Sequence, residues 1–400
     1  MKRALIIADQ FPPSALVSSK RPYFFAKSFT ENNYKVDVLT QKNRNKEWSV
    51  DLNGINIIEY NYQYIFNNIL QFQSRTSIWA KILRFSSFLL YPLGYVKSPL
   101  INYSKISNEY DVILASGDPW YVFEIGNKIY KQQKKRTVKL IFDYRDIMTQ
   151  KSNIGNEKIT YGVSSPLNHF KTFWLNLKEK RLIKNVSFIS TVTPVFAENI
   201  KQMINNKKEV LVVYNGFEKK VRLVKQNKPI KQILFIGSFF ESQMSNLDLF
   251  IPFVIENNLI VTFVGIKKNY PSKLLNYSKK YQNIIIKDFI PKKELSELTN
   301  NTDAFLTLGY HGRSGILPVK LYEYMECGKP IIHISQEKDI ISEIIKKCNC
   351  GLIFNDEEKN NFLQNLIKLN PKISEIDFYK FNNQTGILIN HIENFKINEL

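Results

Sequence analysis

The amino-acid sequence predicts an α/β protein built from two doubly wound domains. Three observations carry that prediction. Short apolar runs of strand length recur along the whole chain, stretches with helical spacing separate them, and the runs fall into two sets. Runs without polar alternation belong to parallel strands that helices cover on both faces. Two sets then mean two such sheets.

Length agrees. At 400 residues the chain exceeds what one core accommodates, so two domains of about 150–200 residues each are expected. Hydrophobic residues at 44% and aromatics at 13% suffice for two cores and exclude global disorder.

In chain order, the first set of runs is RALIIA (3–8), KVDVLT (35–40), INIIEY (55–60), DVILAS (111–116), VKLIFDY (138–144) and VSFIST (186–191). The second is QILFIGS (232–238), LIVTFVG (259–265), NIIIKDF (283–289), AFLTLG (304–309), KPIIHIS (329–335) and GLIFN (351–355). The first domain is placed at 1–200 and the second at 232–375. Between them, 201–231 reads as a basic linker, with nine Lys or Arg against two Glu and Asn-Gly and Lys-Pro punctuation. EVLVVYNG inside it is either the first domain's last strand or a crossing strand. In the tail, 376–400, Ile387, His391 and Phe395 recur every fourth residue, which predicts a helix packing back on the first domain.

The formal charge of +20 comes mainly from lysine and favours anionic partners such as phosphates or an acidic bilayer. Without an arginine-rich tract, zinc motif or aromatic RNA-binding signature, nucleic acid is not expected. Cys327, Cys348 and Cys350 make no disulfide framework and no four-ligand metal site, which favours a reducing compartment. His169, His311, His333 and His391 lack metal-ligand spacing, so no metal is expected. Only five apolar residues precede Asp9 after the basic start, too few for a secretory or spanning segment. A cytoplasmic protein is the expectation.

Residues 75–97 place Ile78, Ile82, Phe85 and Leu89 on one helical face, joined by Trp79 and Leu83, with Lys81, Arg84 and Ser87 opposite. Such a stripe faces a core or lies in an anionic membrane interface; both readings stay open. Three stretches of the first domain could meet a ligand. Loop 11–20 carries the small residues Ser14, Ala15, Ser18 and Ser19. Gly117 and Asp118 precede a helix starting near Pro119. Asp143, Arg145 and Asp146 follow a strand directly, where a carboxylate can orient a hydroxyl or pair with the arginine.

The densest constellation is YHGRSGILPVKLYEYMECGKPIIHIS, 310–335. Gly309, Gly312 and Gly315 permit close backbone approach, and Pro318 suits a first helical turn. Lys320 and Glu323, three apart, share a face. Helix start and lysine together favour an anion such as a diphosphate, and the glutamate's two oxygens match a ribose diol. Leu317, Leu321 and Met325 form the packing face, and Gly328 closes the helix. The simpler alternative is a surface i,i+3 ion pair worth a few tenths of a kcal/mol. His311 lies beside the glycine loop. Cys348 and Cys350, one residue apart, read as structural thiols.

ILPVKLYEYMECGKPII resembles the signature of the family 4 glycosyltransferases. The resemblance continues in ALIIADQFPP, SSKRPYFFAKSFTENNYKVDVLT, FDYRDIMT, VSFISTVTPVFAENI, VVYNGFE and ILFIGSF, and spans nearly the whole chain. It implies the GT-B fold: two Rossmann-like domains, with a C-terminal helix crossing back to the first. It also implies a retaining, metal-independent transfer of a sugar from a nucleotide sugar, read as a UDP-sugar, to a growing, lipid-linked surface glycan. Contact with an anionic membrane through 75–97 would fit a peripheral place at the inner face of the membrane.

Carried over, Lys320 neutralises the leaving diphosphate and Glu323 holds the ribose; Asp146, read from its place after a strand as a carboxylate able to accept a proton, joins them as a catalytic residue. Gly237, Arg313, Gly315, Ile316 and Leu317 complete the donor set; Ser18, Ser19, Gly117 and Asp143 stand on the acceptor side. Three departures stand out. Gly315 replaces the first of two glutamates eight apart, Gln243 and Met244 occupy the place of a basic residue, and Val17-Ser18-Ser19 replaces a glycine pair. Arg313 is a candidate for the missing charge. Given these departures, a non-catalytic nucleotide-sugar-binding subunit, or an epimerase or hydrolase on the same fold, is the alternative.

Overall fold

The structure is a computed structural model of the chain. It describes residues 1–42, 48–64, 78, 97–107, 109–117, 121–135, 137–145, 173–174, 177–221, 223, 228–265, 270–313, 315–354 and 356–396. The chain divides into two compact units, Met1–Val213 with Thr385–Leu400, and Tyr214–Gln384.

The first unit holds β1 (Arg3–Ala8), β2 (Lys35–Gln41), β3 (Ile55–Tyr64), β4 (Lys97–Leu100), β5 (Val112–Gly117), β6 (Lys139–Tyr144), β7 (Phe188–Thr191) and β8 (Val210–Val212). They form one sheet in the order β4-β3-β2-β1-β5-β6-β7-β8. All neighbours are parallel except β3 and β4. Every residue of β5 is buried, as covering on both faces requires. Helices Val17–Glu31, Tyr121–Lys131 and Pro194–Met203 serve as the crossovers among the described residues. The last begins by sequence rule: Pro194 occupies the first turn while the Thr193 hydroxyl accepts from the Phe196 N–H at 3.2 Å.

Helix Phe381–Asn394 ends against the first unit's β-strands. There Glu393 pairs with Lys2 and accepts from the Tyr34 hydroxyl, and His391 meets the Phe188 ring edge-on at 4.5 Å.

The second unit holds β9 (Gln232–Ile236), β10 (Ile260–Val264), β11 (Ile284–Lys287), β12 (Ala304–Leu308), β13 (Ile331–Ile334) and β14 (Gly351–Phe354). All six are parallel, in the order β11-β10-β9-β12-β13-β14. This is the Rossmann strand order, running outward one way from β9 and the other way from β12. Its core gathers Phe235 and Phe263 from the strands, Phe239 from the loop after β9, and Leu247, Phe250 and Val254 from helix Met244–Glu256.

All twelve apolar runs are strands, with ends that agree to within two residues except at β3, which runs four residues further. EVLVVYNG supplies β8, the last strand of the first sheet. One strand escaped the sequence reading. β4, Lys-Ser-Pro-Leu, pairs antiparallel with β3 at the sheet edge, where a strand needs no apolar run and tolerates Pro99. Among the described residues no helix is long and apolar enough to cross a membrane. Apart from Ile78, which is exposed, and the backbone of Lys97, the amphipathic segment 75–97 lies outside the described residues.

Candidate functional site

In the second unit the strand order reverses between β9 and β12. Loops leaving these two strands diverge, and a crevice opens at their carboxyl ends. Gly237 leaves β9 with φ +136°, a conformation side-chain-bearing residues rarely adopt. A β-carbon there would stand 4.0 Å from Lys320 Cγ, so the lysine lies beside the end of β9.

Helix Val319–Cys327 fixes that placement. Pro318 is its N-cap, and Gly328 ends it at φ +68°. Leu321, Tyr322, Tyr324 and Met325 are buried, while Leu317 is half-buried. The Tyr324 hydroxyl accepts from the Ile236 N–H of β9 at 2.8 Å. Its ring stacks on Phe305 of β12 at 4.2 Å and 5°. One side chain thus registers the helix on both strands flanking the reversal. Lys320 and Glu323 are left about one-third exposed, 32% and 30%, with Nζ 2.5 Å from Oε2.

The glycine loop after β12 is held by neutral amides. Gln243 Nε2 donates to the Leu308 carbonyl at 3.0 Å, and its Oε1 accepts from Phe240 N–H at 3.1 Å. Asn246 Nδ2 donates to the Gly309 carbonyl at 2.9 Å, and its Oδ1 accepts from Gln336 N–H at 3.1 Å. Gly309 packs so closely that a β-carbon would meet Ser335 Oγ at 2.4 Å. At Gly312, φ +69°, the N–H donates to Glu337 Oε2 at 3.1 Å, and His311 Nδ1 lies 2.7 Å from Oε1 of the same carboxylate. Arg313 N–H donates to the Tyr310 carbonyl at 3.0 Å. Burial pushes the Tyr310 hydroxyl up to about 12, against the opposing pull of the Arg313 charge. Gly315 is buried, and Ile316 and Leu317 are half-buried.

Beneath this loop His333 is fully buried. Its Nδ1 is 2.9 Å from Thr307 Oγ1 and its Nε2 is 3.1 Å from Asp339 Oδ2. Asp339 in turn caps helix Ile340–Cys348 through the Ser342 N–H at 2.8 Å. Burial alone would raise the Asp339 carboxyl; the His333 and Ser342 hydrogen bonds outweigh it and hold the group below its usual range.

In the first unit the order reverses between β1 and β5. Loop 11–20 leaves β1, and Gly117 ends β5. Arg145 ties them: its Nη1 donates to the Ser18 carbonyl at 3.0 Å and its Nε to the Gly117 carbonyl. Arg145 therefore holds both segments through carbonyls. Asp143 pairs with Arg21, from the Val17–Glu31 helix. Arg21 Nε donates to Oδ2 at 2.9 Å and Nη2 to Oδ1 at 2.7 Å. Ser116 and Ser190 hydroxyls add bonds at 2.7 and 2.8 Å.

Two acceptor-side expectations are thereby corrected. Asp143 is 0% exposed with both oxygens satisfied internally, and Ser19 is also 0% exposed; neither presents a side chain to a ligand. Ser18 is half-buried and Gly117 buried. Gln243, 1% exposed, is a loop tie, and a charged side chain at that position would be buried. Asp118 and Asp146 lie outside the described residues. Sequence reasoning missed Tyr324, Asn246, Glu337, Asp339 and a cluster around Asp9 at the end of β1. Only Asp339 carried a signal, an Asp immediately before an apolar-periodic run.

Both sheets, in this order along the chain, match the GT-B glycosyltransferase fold. Sucrose-phosphate synthase from Thermosynechococcus elongatus superposes with TM-score 0.58 at 12% identity, covering 99% of this chain and 95% of that one. The apo lipopolysaccharide outer core galactosyltransferase WaaB gives 0.55 at 14%, covering 98% and 99%. The catalytic domain of starch synthase IV from Arabidopsis thaliana, bound to ADP and acarbose, gives 0.54 at 10%, covering 96% and 94%.

Residues 230–370, which take in most of the second unit, match the family model described as glycosyl transferases group 1. A curated relative, an uncharacterised protein of Acanthamoeba polyphaga mimivirus, is 27% identical over 173 residues, 40% of this chain. The matched stretch spans 22% of that relative's length.

Proposed function

We propose that the chain is a glycosyltransferase moving a sugar from a nucleotide sugar, in our reading a UDP-sugar, to a hydroxyl of a growing, lipid-linked surface glycan. One observation carries this reading: Lys320, paired with Glu323 and like it about one-third exposed, stands beside Gly237, where the strand order of the second sheet reverses. Open α/β sheets bind phosphorylated ligands at that place.

Lys320 and the helix start would neutralise charge developing on the departing diphosphate, and Glu323 would accept hydrogen bonds from the ribose hydroxyls. In the free chain the two side chains satisfy each other; donor binding would separate them and give each a stronger partner. Gly315, Ile316 and Leu317 would offer backbone contacts, and Arg313 would add positive charge. Substitution from the front face, retaining configuration, needs only positioning and electrostatic stabilisation of the leaving group; Lys320 supplies charge that a metal ion would otherwise bring. Asp146 is kept as a candidate catalytic carboxylate, and its change to Asn would lower turnover. The match to a lipopolysaccharide galactosyltransferase and the charge of +20 support a lipid-linked acceptor at the inner membrane face.

Thermal-shift measurement across UDP, GDP, ADP and their sugar conjugates tests the donor reading. A ligand at one hundred times its Kd stabilises by about 2.7 kcal/mol. One nucleotide series should raise the wild-type Tm, and Lys320→Ala and Glu323→Ala should each lose that rise and all transfer while keeping the ligand-free Tm. Full nucleotide response in both variants refutes the assignment and leaves the pair a surface ion bridge.

Gly315, where a carboxylate would contact the sugar, favours a second reading: a nucleotide-sugar-binding subunit without turnover. Donor binding without transfer to any acceptor, and without donor breakdown or epimerisation, would select it.

A further inference from the structure

At the carboxyl ends of β1, β2 and β3, three tyrosines and two glutamines converge on Asp9. Asp9 Oδ1 accepts from the hydroxyls of both Tyr62 and Tyr121. Its Oδ2 accepts from Gln10 Nε2 at 2.9 Å, which also donates to Gln41 Oε1 at 3.1 Å. The Tyr60 and Tyr121 hydroxyls are 3.5 Å apart. The rings pack edge to face: Tyr60 on Tyr62 at 5.7 Å and 84°, Tyr62 on Tyr121 at 5.9 Å and 80°. No lysine or arginine among the described residues pairs with Asp9, whose partners are neutral donors. In a chain of charge +20 that is a distinctive environment for a carboxylate.

Asp9 and Tyr62 are half-buried, whereas Tyr60 and Tyr121 are buried. The hub therefore reaches the surface, and it does so beside the β1/β5 reversal of the first sheet, the end at which such sheets take ligands. A carboxylate offers about four acceptor directions; Tyr62 and Tyr121 share Oδ1, Gln10 donates to Oδ2, and the Tyr60 hydroxyl also reaches the carboxylate. A phenol oxygen can accept as well as donate. Adjacent acceptors of this kind suit neighbouring hydroxyls, each of which donates to one and accepts from another. The negative charge repels phosphates and carboxylates, and the hydroxyl and amide groups that line the hub match a neutral hydroxyl-bearing ligand. Burial, then the neighbouring Tyr60 and the Asp9 charge, push the Tyr62 hydroxyl upward, which keeps it a donor at all physiological pH.

We infer that the Asp9 cluster binds a neutral pyranose through adjacent hydroxyls, one donating to Asp9 Oδ2, with the Tyr62 ring beside the sugar. This deepens the transferase reading and rests on it for its role: the bound ring is the sugar acceptor. The binding itself can be measured without any donor.

The test is saturation-transfer NMR on the full chain with methyl glucoside, methyl galactoside and N-acetylglucosamine at millimolar concentration, alongside glucosamine. Wild type, Asp9→Asn and Tyr62→Phe are compared, with Tm as the folding control. At least one neutral sugar should bind wild type. Asp9→Asn should weaken it at least about tenfold, the range for a hydrogen bond to a charged group, and Tyr62→Phe by a smaller factor of about five. The nucleotide-induced Tm rise should be unchanged in both. Absence of wild-type binding, equal binding in the variants, or binding of glucosamine alone overturns the inference. Should Asp9→Asn fail to fold, Tyr62→Phe decides. Sugar binding that depends on Asp9 in a chain no nucleotide stabilises would keep this site and discard the transferase reading; a nucleotide response with Asp9-independent sugar binding does the reverse.

Discussion

Replacing Asp143 by asparagine removes one charge from an ion pair whose side chains are 4% and 0% exposed. Arg21 would remain buried with its guanidinium 4.9 Å from the Phe25 ring, facing an amide that returns no charge. Breaking a buried pair from one side costs about 3–5 kcal/mol. For a unit of this size each kcal/mol moves the melting temperature by about 2–4 °C, so the first unit's transition should fall by roughly 6–20 °C. Differential scanning calorimetry reads this directly, provided the second unit's transition stays in place as an internal reference. Leucine at both positions should recover only part of the loss, because it removes the orphaned charge but leaves the buried Ser116 and Ser190 hydroxyls without their acceptor.

The pH dependence has a definite sign. Burial alone would raise the Asp143 carboxyl, but the Arg21 charge and the bonds from Arg21, Ser116 and Ser190 outweigh it and hold the group below its usual range. A folded-state value below the unfolded one, about 3.9, gives a contribution present above that pH and lost as pH falls through the folded value. The gap between wild type and Asp143→Asn should therefore be constant from about pH 5 to 8 and narrow below about pH 4. A drop smaller than about 1 kcal/mol, or a gap that widens in acid, would show that the Arg21–Asp143 pair is not a buried charge pair of this kind.

Two further changes test the donor-side scaffold. Tyr324→Phe leaves the Ile236 N–H without its hydroxyl partner and should cost about 1–3 kcal/mol; nucleotide binding should weaken with it, and an unchanged nucleotide response would show that the helix keeps its register without that bond. Lys329 Nζ donates to the carbonyls of Thr299, Asn300 and Thr302 at the end of helix Lys292–Asn301. Lys329→Met should cost about 1–2 kcal/mol and speed amide exchange in that last turn, as hydrogen-exchange mass spectrometry would record.

Fold and site differ in how far the sequence reveals them. Runs such as RALIIA and AFLTLG announce strands buried on both faces, because no polar alternation interrupts them, and their grouping announces two sheets. Pro318 and Gly328 were readable because helix ends demand particular residue types, whereas Gly237 entered only through the family resemblance. Contacts between distant segments were not. Nothing near Asp143 marks Arg21 as its partner, 122 positions away, and the nearer Arg145 is the natural but mistaken choice. Asp9, Tyr62 and Tyr121 look like unremarkable strand-end and helix-start residues until the sheet order gathers them. Lys97–Leu100 escaped because an edge strand carries no periodic signature.

The side-chain ties at Gln243 and Asn246 have a practical corollary. Uncharged amides gather no counterions, so the two contacts they make at Leu308 and Gly309 stay at rest as ionic strength changes. The Glu337 carboxylate that grips Gly312 and His311 remains open to screening, so salt sensitivity of nucleotide capture would combine that tie with the ligand's own anionic groups and the cations that greet them.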